Sequence, residues 1–172
     1  LTLTANNTFS GGTDGVFGGT IQVGNGGTSG AIGSGNFNID TYSLIFNRSD
    51  DFIVNCRLQG SGNITKNGAG KLTLASTSNS HTGLITVNSG TLEFGNGSTG
   101  TNFWTSFSAG VTMINLNAGT TLISNFSDNV TIRHQILGAG SFIKNNSNNT
   151  TLIQDVNIPT LTINSGSLIA NS

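Results

Sequence analysis

Few residues in this chain are of a type that does chemistry, and their spacing is poor for it. The stretch Asn67–Thr73, "NGAGKLT", looks like the end of a phosphate-binding loop. The pattern G-x-x-x-x-G-K-[ST] needs a glycine five residues before Gly70 and a hydroxyl directly after the lysine. Thr65 and Leu72 occupy those places, so both the phosphate cradle and the magnesium ligand are missing. His81 and His134 are the only imidazoles, and neither has a Cys, His or carboxylate at ligand spacing. They read as solvated or loop histidines. Asp50 and Asp51 are adjacent, and neighbours in a strand face opposite sides, so they do not form one acid/base pair. Cys56, in "FIVNC", reads as a buried small hydrophobe. As the single cysteine it also excludes an intrachain disulfide. No catalytic residue, metal ligand or cofactor-binding residue is expected, and no cofactor.

Composition narrows the function classes further. Charged residues make up 8% of 172 residues, with a formal net charge of −1. Six scattered Lys and Arg cannot form the basic stripe that phosphate neutralisation demands, so nucleic acid is not an expected partner. No run of 18 apolar residues is present, so membrane insertion through a helix is not expected either. The chain opens at Leu1 without Met or a signal-like segment, as expected of a processed or excised product.

The elements that would position any site are short strands. Runs such as "KLTLA", "GLITV", "GTLEF" and "PTLTI" alternate apolar residues with Thr, Asn or Glu and are closed by Gly, Asn or Ser. Helical periodicity is almost absent, with at most a turn or two at 102–109. The pattern also repeats. Laid over itself so that Ser43 meets Thr121, the chain matches Ser43–Leu74 to Thr121–Leu152 without a gap. Eleven of 32 positions are identical, among them Asn47/Asn125, Gly60/Gly138, Gly62/Gly140 and Lys66/Lys144. Leu1 onward echoes Leu72 onward, and Gly18 onward echoes Ser89 onward. The chain therefore reads as one domain built on a duplicated unit of about 78 residues. A partial copy covers 1–30, copy one about 31–94 and copy two about 109–170. Tandem similarity, turn Gly and Asn, and an uncharged Thr/Asn/Ser surface that can stack as ladders predict a parallel β-solenoid of short strands rather than a sandwich. The unit should hold three or four rungs.

The run Gly60–Phe94, "GSGNITKNGAGKLTLASTSNSHTGLITVNSGTLEF", resembles the passenger-associated repeat of bacterial autotransporters through Gly60, Gly62, Lys66, Gly68, Gly70, Leu72, Leu74, Thr82, Gly83, Val87, Gly90 and Leu92. The second copy keeps Gly138, Gly140, Phe142, Lys144, Leu152, Gly166 and Leu168, with Asn146 and Asn148 in place of two glycines. The resemblance implies an all-β fold, a single right-handed parallel β-helix outside the cell or at its surface, used as an adhesin or stalk. In that reading Gly60, Gly62, Gly68, Gly70, Gly83, Gly90, Gly138, Gly140 and Gly166 are structural turn glycines, and Lys71 is a solvated strand-edge charge.

Three functions from different classes follow. The first is a non-enzymatic structural or adhesive module that meets a surface glycan or protein. The second is a self-assembling filament subunit whose partner is itself, with Leu1, Thr2, Leu3 and Thr4 as the assembly strand. The third, remote, is a carbohydrate-active β-helix enzyme; Asp50 and its repeat mate Asp128, three or four rungs apart, are too distant to act as its carboxylate pair. Nine N-x-[ST] sequons include Asn47 and Asn125, possible glycosylation sites. Phe103, Trp104 and Phe107 form the one aromatic cluster, expected to pack in the core.

Overall fold

A computed structural model describes residues 1–12, 18–40, 42–98 and 112–170. The aromatic cluster of Phe103, Trp104 and Phe107 lies outside them. The described chain is all β, its strands pairing in parallel as a solenoid with three faces. The first face is an eight-stranded sheet, one strand per turn, which makes eight turns. It holds β1 (Thr2–Leu3), β2 (Thr20–Val23), β4 (Ser43–Phe46), β7 (Ile64–Lys66), β10 (Ile85–Val87), β12 (Thr112–Leu116), β15 (His134–Gly138) and β18 (Val156–Asn157). The second holds β5 (Phe52–Val54), β8 (Lys71–Leu74), β11 (Thr91–Phe94), β13 (Thr121–Ser124), β16 (Ser141–Lys144) and β19 (Thr160–Ile163). The third is split into β3 (Phe37–Asn38), β6 (Leu58–Gly60) and β9 (Ser80–His81), then β14 (Val130–Ile132), β17 (Asn149–Leu152) and β20 (Ser167–Ala170).

Alternation in the sequence becomes stacking in space. On the first face Ile21, Leu44, Ile64, Ile85, Ile114 and Ile136 lie over one another, all buried. On the second, Phe52, Leu72, Leu92, Leu122 and Phe142 stack in the same way, buried except for the half-buried Phe52 at the end of the column. Each fully buried side chain of this kind stabilises by roughly 1.5–3 kcal/mol, so one column of like residues spreads a single core along the axis. Between columns the corners carry asparagines. Asn88 Nδ2 donates to Asn67 Oδ1 at 2.8 Å and Asn117 Nδ2 to Asn88 Oδ1 at 2.9 Å, a ladder that satisfies amides turn after turn.

Leu44 lies over Ile64 and Ile64 over Ile85, so an ordinary turn takes about 20 residues, within the range of solenoid repeats. One turn is longer, running from Ile85 to its partner Ile114. The shift that lays Ser43 over Thr121 is therefore not a whole number of turns. It sets β4 of the first face over β13 of the second, β5 of the second over β14 of the third, and β6 of the third over β15 of the first. What repeats is a succession of strand and corner, displaced by one face.

Two glycines show why the corners need the residue. Gly138 has φ +117°, which side-chain-bearing residues rarely adopt. Gly68 has no such torsion, but a Cβ there would stand 1.8 Å from the carbonyl oxygen of Arg48 in the preceding turn. Close approach between turns, as much as positive φ, sets these positions.

Candidate functional site

The residues singled out for chemistry are each held in separate structural duties. Lys71 opens β8, and its ammonium pairs with Glu93 Oε2 at 2.7 Å while its side chain stays 36% exposed, so the strand-edge charge is both partly solvated and paired. The reason is register: Lys71 pairs with Thr91 and Thr73 with Glu93, which brings the carboxylate alongside. Glu93 Oε2 also accepts from Thr73 Oγ1 at 2.9 Å, and Oε1 from Asn125 Nδ2 at 2.6 Å. Asn146 Nδ2 continues the chain to Asn125 Oδ1 at 2.7 Å. The result is a polar network along the outside of the second face in which both Glu93 oxygens are occupied. Asn125, as a glycosylation candidate, has its amide committed here; Asn47 sits half-buried at a corner of the first face.

Both histidines are buried, 0% exposed at His81 and 2% at His134, and the expectation of solvated imidazoles is corrected. His81 Nε2 lies 2.5 Å from the Gly62 carbonyl oxygen. The His134 ring packs 6.2 Å from the Phe94 ring. Burial pushes His81 down to about 4, and burial followed by the field of His81 pushes His134 down to about 3. Both are neutral at pH 7, and His134 feels His81 although they are distant in sequence. The strand pattern hid His81, because β9 has only two residues and no alternation to read, whereas His134 shares the inward phase of Ile136 in β15. Among the described residues no three His, Cys, Asp or Glu side chains gather as a metal site.

The adjacent carboxylates go separate ways. Asp50 takes a two-pronged bond from Arg48, Nε to Oδ1 at 2.9 Å and Nη2 to Oδ2 at 2.7 Å, which holds its carboxyl below the usual range. Asp51 Oδ1 accepts the Lys71 backbone N–H at 2.9 Å. Arg48 is the positioning residue that sequence reasoning missed. Nearly buried, it donates to the carbonyls of Thr28 and Gly30 at 2.5 Å each, and its guanidinium stacks 4.6 Å over the Phe52 ring. Cys56 is 6% exposed, and burial pushes its thiol up to about 11, so it is protonated and unreactive at neutral pH.

Lys66 and Lys144 are the least expected features. Each ends a strand at an inward position, 2% and 0% exposed. Lys66 Nζ donates to the Gly68 carbonyl and to Ser89 O at 3.1 Å. Lys144 Nζ donates to the Asn145 carbonyl, to Asn146 O and Asn148 Oδ1 at 2.7 Å each, and reaches Ser165 O at 3.4 Å. Burial lowers the pKa of both. Each ammonium joins its own corner to that of the next turn, so its work is to staple the coil.

The faces that remain open lie at the rungs. Thr2–Leu3 pairs with Gln22–Val23, so the candidate assembly strand uses one edge within its own coil and begins the sheet with the other. At the opposite end β18, β19 and β20 each close a sheet, with Leu161 44% and Ile163 47% exposed.

Searches of the curated proteins and of the solved structures found no match to the chain. Residues 64–94, from β7 through β11, match the family model described as the Passenger-associated-transport-repeat, so this part of the β-solenoid is similar to that repeat, in keeping with the resemblance to autotransporter passengers.

Proposed function

We propose that the chain is a non-enzymatic structural and adhesive module, a stalk segment displayed at the cell surface or secreted, that presents an uncharged polar wall to a glycan or protein. The passenger repeat supports the location, and the wall supports the role. The observation that carries it is the outward column of the first face, Thr2, Gln22, Ile45, Thr65, Thr86, Asn115, Leu137 and Asn157, set in line by the strand registers and free of charge. At roughly 4.8 Å per turn such a column spans about 35 Å, with hydroxyl and amide groups at all its positions but Ile45 and Leu137. Fluorescent protein applied to intact cells and to a glycan array tests the reading. Saturable binding that falls when Thr65 and Thr86 are replaced by Lys is the expected result; failure to bind either would leave a stalk without adhesion.

A second reading, a filament subunit joined end to end, draws on the sheet-edge strands β18–β20, on which Leu161 and Ile163 are exposed among the described residues. Electron microscopy of native material over a hundredfold dilution separates the two. Fibres of uniform width that persist on dilution support assembly, and short isolated rods count against it.

A further inference from the structure

One level of the second face is interrupted. The second and third turns are paired residue for residue on the first face, Thr20–Val23 against Ser43–Phe46, and again on the third, Phe37–Asn38 against Leu58–Gln59. Between these faces they part. The loop at 24–30 stays bonded to the next corner through Gly26 N to Asn47 O at 2.8 Å and Ser49 N to Gly27 O at 3.0 Å. Arg48 then pins it to Asp50 and Phe52. Contact between the backbones resumes at Phe37 N to Arg57 O, 2.8 Å. In the gap, 31–34 bonds to the turn on its far side, Ala31 N to Ala5 O at 3.0 Å and Ser34 N to Phe9 O at 2.9 Å. Opposite it, β5 is the edge strand of its sheet among the described residues.

A cleft of about 370 Å³ opens between the two segments, lined by Ile32 and Ser34 on one side and Phe52, Ile53, Asn55 and Cys56 on the other. Among the described residues no charged side chain lines it, and the flanking Arg48 and Asp50 neutralise each other. The cleft is within the size range of small-molecule sites, and all three residues of β5 line it.

We infer that this cleft takes an extended, uncharged peptide segment of a partner protein, which adds as a parallel strand on β5 and fills the missing rung of the second face. A strand edge supplies backbone donors and acceptors at fixed spacing, and alternate pockets set the side-chain order. Phe52 and Val54 point inward and Ile53, 52% exposed, points outward. The segment therefore carries apolar residues above Phe52 and Val54 with a small polar residue between them, the order that the chain itself uses at Leu161, Thr162 and Ile163 over Phe142, Ile143 and Lys144. A charged segment is refused, since the cleft offers a charge no partner.

The probe is a capped synthetic peptide, TLTINS, titrated by calorimetry into the whole chain. Saturable binding is expected, at least tenfold weaker for a peptide N-methylated at the Ile that follows the central Thr, whose N–H would otherwise donate to the Ile53 carbonyl, and for one with Lys in place of that peptide's Leu. Because these changes are in the peptide, they leave the fold untouched. In the protein, Ile53→Lys at the exposed lip is expected to weaken binding tenfold, and hydrogen exchange at Phe52–Val54 is expected to slow when the peptide is added. No binding at millimolar peptide, equal binding of the N-methylated peptide, or unchanged exchange at β5 overturns the inference. A dimer on sizing that the peptide dissociates would assign the cleft to a second copy and overturn it as well. The outcome does not depend on glycan binding, so this proposal and the adhesive reading fail separately.

Discussion

The corners after Lys66 and after Lys144 solve one problem in two ways. Both follow a strand that ends in a buried lysine, and the internal repeat places the two lysines at equivalent positions. The first is built of glycines whose backbone presses against the preceding turn, with the ammonium on two carbonyls. The second has asparagines in their place. Asn146 takes the left-handed torsion, φ 63°, and bonds to Asn125 and to the Phe126 carbonyl, while Asn148 offers its Oδ1 to the lysine. A departure from the repeat pattern is here an exchange of close packing for side-chain hydrogen bonds. The two corners also lie on different faces, so the shared sequence encodes a way of turning rather than a place in the coil.

The contrast predicts unequal sensitivity. Gly68→Ala should destabilise the fold by about 4 kcal/mol or more, since its Cβ would collide with a backbone oxygen that cannot swing aside; a thermal melt close to the wild type would dismiss the close-approach account. Acid strikes both halves, because each buries one imidazole. Their folded pKa values, about 4 and about 3, lie below the unfolded value of about 6.5, so the unfolded chain takes up protons first. Stability is then full above pH 6.5 and falls as the pH drops toward 4 and 3, by roughly 3 kcal/mol for His81. Denaturant midpoints at pH 7, 5.5 and 4 check this, and His134→Phe should flatten the fall. Replacement of the lysines ranks next. Lys144→Met strands more acceptors than Lys66→Met, so losses of about 2 and about 1 kcal/mol are expected, and the reverse order would break the comparison. The smallest effect belongs to Asn146→Gly, within about 1 kcal/mol, as relieved backbone strain offsets two lost hydrogen bonds.

Much of this was legible in the sequence. Period two and Gly/Asn punctuation are local signals, and they carried the strands, the corners and the parallel coil. The phase of the two lysines is written in "ITK" and "FIK", which place Lys66 and Lys144 on the same side as Ile64 and Phe142, but their burial was not expected. A charge at an apolar phase reads as an exception until the carbonyls that receive it are seen. Face assignment was hidden because the internal similarity and the length of a turn, Leu44 to Ile64, are incommensurate. The Glu93 network and the His81–His134 proximity depend on register between turns, which no single strand records.

The near-constant length of a turn makes the rod a coil of measured rope. Its strands run across the axis and its hydrogen bonds along it, so a pull on the ends opens bonds one after another instead of shearing a sheet at once. Each ordinary turn that opens would free roughly 70 Å of extended chain at about 3.5 Å per residue, and the long turn from Ile85 to Ile114 roughly 100 Å. A solenoid of this kind, pulled at its ends, would yield in regular steps and dissipate load turn by turn.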